Sequence, residues 1–395
     1  MCVRGTKILS ERFRTLTEGG PPIQLAAFPE VRRERASGRP KERVVAEVFE
    51  LLTVALLPSA SPRLVRELRE RGALCDVLVR PAEHADRLSE AALRLLQSGE
   101  GRRRADAELV EARRRGFEIV GLDDALYPSA LKATFDPPPV LYVKGKLASE
   151  VVASVAIVGS RAASPQGRAL ARALASDLAV SGVEIVSGLA RGIDAEAHRG
   201  ALDAPGRTVA VLGSALDRIY PREHAGLADA IAEHGGAVVS EFPLGTAPEK
   251  FHFPRRNRVI AGLAQAVLVV EAAQKSGALS TARFALDEGR EVLAVPGHPS
   301  EPLAEGTNSL LRDGATLVRT AADVAESLGL VMRVTQAEGT SGDDILDSLR
   351  RDRPTSLEDL ASLSGRPVSE LLSRLSLLEM NARIRRLPGP AFVRS

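Results

Sequence analysis

Through the first 115 residues, apolar positions recur every three to four residues wherever they recur at all. Val44, Val45, Val48, Leu51 and Leu52 form one such stripe. Pro62 opens another with Leu64, Val65 and Leu68, which stops at Gly72. Amphipathic stretches at Leu88–Leu96 and Ala105–Arg115 complete a helical region predicted over 44–115. Residues 1–43 sustain no hydrophobic period and carry Arg32, Arg33, Arg35, Arg39, Lys41 and Arg43. They read as a flexible basic arm, with a solvated extension and a nucleic-acid contact as the two alternatives.

Beyond 115 the pattern changes. Pro137–Pro139 forbid a helix and Val140–Val143 read as a strand, so 116–150 is predicted to be an entry connector. From 151 to 330, short β-branched runs alternate with segments of helical length. The runs are Val152–Val158, Val183–Val186, Thr208–Leu212, Ala237–Val239, Ala266–Val270 and Val292–Val295. The intervening helices include Pro165–Ser181, Asp194–Ala204 and Arg222–Glu233. Near-continuous apolar strands joined by crossover helices predict an α/β fold with a doubly wound, mostly parallel, Rossmann-like sheet over 116–330. A polar linker, 331–342, then leads to three short helices, Asp343–Arg351, Leu357–Leu363 and Val368–Glu379. Two strands around Pro388-Gly389-Pro390 follow, the order of a winged helix over 343–395.

Composition narrows the class. The 395 residues are 44% hydrophobic and 26% charged, which excludes a wholly disordered or fibrous chain. Every apolar run is broken short of a membrane span, and the first residues lack the apolar core of a signal peptide. A cytoplasmic protein is expected. Cys2 and Cys75 are too few for a cysteine zinc site or a disulfide framework, and neither metal nor cofactor is expected. Of 53 basic residues only seven are Lys. With arginine this common, a lysine at a strand end carries more information.

In such a sheet, ligands sit beyond the carboxyl ends of the strands. Three predicted ends carry glycine loops: Gly159-Ser160-Arg161, Ser187-Gly188-Leu189-Ala190-Arg191-Gly192, and Gly213-Ser214. Such loops either bring backbone amides to an anion or simply make the turn. Neither a dinucleotide-binding G-x-G-x-x-G after the first strand nor a P-loop is present, and the hydrolase elbow G-x-S-x-G is also missing. Instead, Lys250-Phe251-His252-Phe253-Pro254-Arg255-Arg256-Asn257-Arg258 combines four cations with two aromatic rings. Cations for phosphates beside rings for bases suit single-stranded nucleic acid. The alternative is that the rings belong to the core and the arginines to a solvated helix start.

The runs VAIVGSR, SGLARGID, FPRRNRVIAGL and SGALST…GREVLAVPG, in that order, resemble the DNA-processing protein A family (DprA, also called Smf). The likeness is dense from Phe117 to Val318. It implies a homodimeric single-stranded DNA binder that protects incoming DNA and loads the RecA recombinase during natural transformation, without catalysis. It also implies DNA contacts at Gly159, Ser160, Arg161, Gly188, Arg191, Gly192, Arg222, Lys250, Phe251, Arg255, Arg256, Asn257 and Arg258. Residues 44–115 would be the family's SAM-like helical domain. The competing reading is a phosphoribohydrolase of the lysine-decarboxylase-like class. Its catalytic Glu would fall on Phe284, which transfers no proton, leaving Glu271 and Asp194 as acids of no recognised motif. In the C-terminal unit, Arg374 is offset by Glu370 and Glu379, so a protein-contact role is favoured over duplex readout. Arg383, Arg385 and Arg386 in the wing keep an accessory DNA role open.

Overall fold

A computed structural model describes residues 40–58, 60–330, 344–349, 354–380, 383–387, 389 and 391–394. The chain divides into two units, 1–330 and 331–395.

In the first unit, helices Pro40–Ala55, Pro62–Glu70, Leu74–Val79, Glu90–Gln97 and Glu100–Arg114 precede the sheet. The first starts ahead of the predicted boundary at 44, because proline is well tolerated in an opening turn where no amide bond is lost. The rest of the predicted basic arm, 1–39, lies outside the described residues. Ser61 and Ser89 cap their helices by accepting from the amides of Leu64 and Ala92.

The sheet has nine strands: β1 Glu118–Gly121, β2 Val140–Gly145, β3 Ser154–Val158, β4 Glu184–Ser187, β5 Thr208–Val211, β6 Ala237–Ser240, β7 Ala266–Val269, β8 Glu291–Ala294 and β9 Thr316–Leu317. Their order is β1-β2-β6-β5-β4-β3-β7-β8-β9. β3 to β9 are all parallel to one another, and every residue of β3 to β7 is buried, which is why these strands read as unbroken apolar runs. The winding direction reverses between β3 and β7.

The segment 116–150 is more than a connector. Its β1 and β2 pair antiparallel, Glu118 opposite Val143, and β2 then pairs antiparallel with β6, Tyr142 opposite Ser240. It therefore forms one edge of the sheet. The helical region is tied to that edge: its Val48, Leu51, Leu52 and Leu109 belong to the same continuous core as Leu141, Val209 and Val238. Glu108 also accepts from the Leu244 amide at 2.7 Å.

The second unit has its own small core of Ile345, Leu346, Leu349, Leu360, Leu371, Leu375, Ile384 and Phe392. Helices Asp344–Ser348, Leu357–Ser364 and Val368–Met380 are followed by β11 Ile384–Leu387 and β12 Ala391–Arg394, which pair as the wing. A two-residue strand, β10 Thr355–Ser356, completes the three-stranded sheet. Gly365 ends the middle helix in the left-handed region at φ 65°. The predicted linker, 331–342, lies outside the described residues.

A fragment ending at Leu330 retains all nine strands and their core. It is expected to melt cooperatively by circular dichroism, within about 4 °C of the full chain. A non-cooperative melt would show that the second unit is required for folding of the first.

Candidate nucleic-acid interface

The carboxyl ends of β3, β4, β5 and β6 carry the loops singled out in the sequence, so parallel pairing brings Arg161, Arg191, Arg222 and Lys250 to one edge of the sheet. Around them the structure separates exposed cations from buried ones.

The helix His252–Leu263 takes most of its charged residues inward. Arg256 is only 4% exposed and donates to the carbonyls of Gly188 and, at 2.7 Å, Val211. It thereby joins the ends of β4 and β5. A Cβ on Gly188 would overlap the guanidinium, so glycine is required there for a close approach, not for a DNA contact. Burial lowers the Arg256 pKa to about 10, and the nearby Asp194 charge raises it in compensation, so the group stays charged at neutral pH. Burial pushes the Asp194 carboxyl up, while Arg256 and the Ala190 amide hold it down.

Asn257 is also buried, donating to the Gly277 carbonyl at 3.2 Å and the Ser280 hydroxyl at 2.8 Å. Arg255 and Arg258 converge on the buried carboxylate of Glu241, at 3.0 and 2.5 Å. Three of the four cations in the 250–258 run are thus engaged with acceptors inside the protein. Arg256 and Asn257, expected from the sequence as DNA contacts, are instead buried. Arg258 is mostly covered, and Arg255 is half exposed but shared with Glu241.

Lys250 is exposed in the loop ahead of this helix, and Phe251 beside it is 65% exposed. Phe253, one of the two rings of the 250–258 run, is not among the individually expected DNA contacts, yet it is partly exposed beside them. Its ring lies against Gly213, the Arg161 guanidinium stacks over it at 4.8 Å, and the Tyr220 ring is 5.8 Å away. Tyr220, 40% exposed, is likewise absent from that expectation. Arg161, Arg222 and Lys250 form no ion pair among the described residues. Arg191 is exposed but bonded to Glu223 at 2.5 Å, which holds the Glu223 carboxyl below its ordinary range. Some amides at this edge bond within the protein: Asp194 accepts from Ala190 at 3.4 Å, and beyond β6 Asp217 accepts from Gly245 at 2.8 Å. Among the described residues no cluster of His, Cys, Asp or Glu could hold a metal, and no helix is long and apolar enough to cross a membrane.

Residues 118–329 match the family model described as DNA recombination-mediator protein A. The chain belongs to the DprA/Smf family. Residues 335–390 match the DprA winged helix domain. Protein Smf of Escherichia coli K12 is 41% identical over 301 residues, 73% of this chain and 80% of that one. The DNA processing protein DprA of Streptococcus pneumoniae is 44% identical over 212 residues, 53% of this chain and 73% of that one. An X-ray structure of the pneumococcal DprA superposes with a TM-score of 0.60 at 35% identity, covering 71% of this chain and 96% of that one.

Two outcomes follow from the buried groups. Arg256→Ala strands Asp194 as an uncompensated charge and should cost about 3–5 kcal/mol in urea unfolding. A loss under about 1 kcal/mol would refute its role as a tie. Beneath the same loops, burial pushes the fully enclosed His198 imidazole down to about 3, with His224 and Arg256 adding to the effect. It folds neutral and is protonated when unfolded below pH 6.5, so its contribution is full above that value and is lost as pH falls towards 3. Between about pH 7.5 and 5.0 the wild type should lose about 2 kcal/mol that His198→Asn does not. Equal losses would contradict this.

Proposed function

We propose that the strand-end face binds single-stranded DNA in a recombination step without chemistry at the face itself. In this reading the protein acts as a homodimer that covers incoming single strands and passes them to the RecA recombinase. One observation carries it: the cluster of Arg161 over Phe253 with the Tyr220 ring tilted beside it, near the exposed Lys250, Arg222 and Phe251. Bases stack on rings only when they are unpaired, and each such contact is worth ~1–3 kcal/mol with little dependence on sequence. The cations on either side take the phosphates. Family membership supports the same reading, since the relatives are DNA processing proteins. Direct contacts are assigned to Arg161, Arg191, Arg222, Lys250, Phe251, Phe253 and Tyr220, with Arg255 at the margin. Gly159, Ser160, Gly188 and Gly192 shape the loops that carry them.

Nothing favours the phosphoribohydrolase alternative. Phe284 packs partly buried against the core. Glu271 and Asp194 both accept backbone amides, which is the work of structural carboxylates.

By fluorescence anisotropy, the protein should prefer a single strand to the matched duplex. Arg161→Ala and Lys250→Ala should each weaken binding about tenfold or more without lowering Tm, and flatten the salt slope by ~0.7 for each phosphate no longer neutralised. Glu223→Gln frees Arg191 and should strengthen binding. The fragment ending at Leu330 should bind within about tenfold of the full chain. Wild-type affinity in both alanine variants at every salt concentration would sink the assignment.

A further inference from the structure

Where β3 and β7 part, an open α/β sheet leaves the crevice in which nucleotides usually lodge, with the amides of a helix N-terminus facing the ligand's phosphate. In this chain the crevice holds one of the protein's own carboxylates. Glu271 follows β7, and its carbonyl accepts from the Ser160 amide at 2.7 Å. Its side chain turns back into the gap. One carboxylate oxygen accepts from the Ser164 amide at 2.9 Å and the other from the Ser164 hydroxyl. That hydroxyl accepts in turn from the Gly167 amide at 2.9 Å, in the first turn of the helix Pro165–Val180. The fit is close: a Cβ on Gly167 would fall 2.5 Å from either carboxylate oxygen. The carboxylate therefore takes hydrogen bonds of the kind a bound phosphate would receive, and favours the same positive end of the helix dipole.

We propose that Glu271 is the resident anion of this crevice and sets the class of ligand the protein accepts. With the phosphate seat filled, a mononucleotide finds no pocket. A strand laid across the outer cations and rings needs none. The proposal rests on the single-stranded DNA reading of the same face. It also assigns Glu271 a positioning role, because the residue staples the loop 159–164 from which Arg161 reaches Phe253.

The test uses the full chain and inorganic phosphate, with chloride at matched ionic strength as control. Glu271→Ala should melt below the wild type and regain ~2 °C or more with phosphate over chloride, whereas the wild type should not respond. A purely structural defect would not be restored by a specific anion. A wild type stabilised by phosphate as much as the variant overturns the proposal, and so does a variant that phosphate does not rescue. If Glu271→Ala does not fold, the wild type decides alone. Excess adenosine monophosphate at constant ionic strength should leave a bound labelled oligonucleotide in place, and displacement would overturn the proposal. If the wild type binds no oligonucleotide at all, the DNA reading has failed, and the wild type's phosphate response still judges whether the crevice is closed.

Discussion

A cation buried beneath the strand ends organises everything above it. Removing a guanidinium from water is costly unless its donors are met and its charge is balanced. Arg256 meets both conditions with the carbonyls of Gly188 and Val211 and the neighbouring Asp194. These bonds join two loops that are far apart in the chain, and they fix the rotation of the helix His252–Leu263. Phe253 lies three residues before Arg256, roughly one turn along, so anchoring the arginine inside determines where the ring emerges. Arg161 then has a surface to stack on. The exposed platform is thus a consequence of the buried tie.

The same division runs across the whole strand-end face. Apart from the exposed Glu223, three carboxylates satisfy amides or arginines of the protein: Glu271 at the first loop, Asp194 at the second, Glu241 under the helix. Arg161, Arg222 and Lys250, which have no ion pair among the described residues, stand exposed. Such a surface presents separated charges with rings between them. That arrangement matches a flexible polyanion better than a small phosphorylated ligand.

Much of this was legible in the sequence, and the reasons are physical. Strands β3 to β8 are mostly buried on both faces, so their apolar runs stand out against helices of ordinary periodicity. β1 is buried only in its second half, so it makes no continuous apolar run, and β9 has just two residues. The pairing of β2 with β6 joins segments far apart in the chain, which no local pattern announces. In the site, Arg161 and Lys250 were readable because they stand at strand ends. The fates of Arg255, Arg256 and Arg258 were not, since their acceptors lie 14 to 122 residues away in the chain. Composition marks an arginine as basic without telling whether Glu241 or a carbonyl has already claimed it. Phe253 was noticed as a ring beside cations, but Tyr220 escapes a sequence reading for the same reason. Their significance comes from a neighbour that only the fold supplies.

Stacking of unpaired bases on rings at the strand ends of the first unit is open to direct test. Ultraviolet crosslinking of a 5-iodouracil-substituted single strand to the full-length protein, with the modified residues located by mass spectrometry, addresses it directly. The account predicts crosslinks at Tyr220, Phe251 and Phe253. Crosslinks confined to residues 344–394, with none in the loops after β3 to β6, would contradict it.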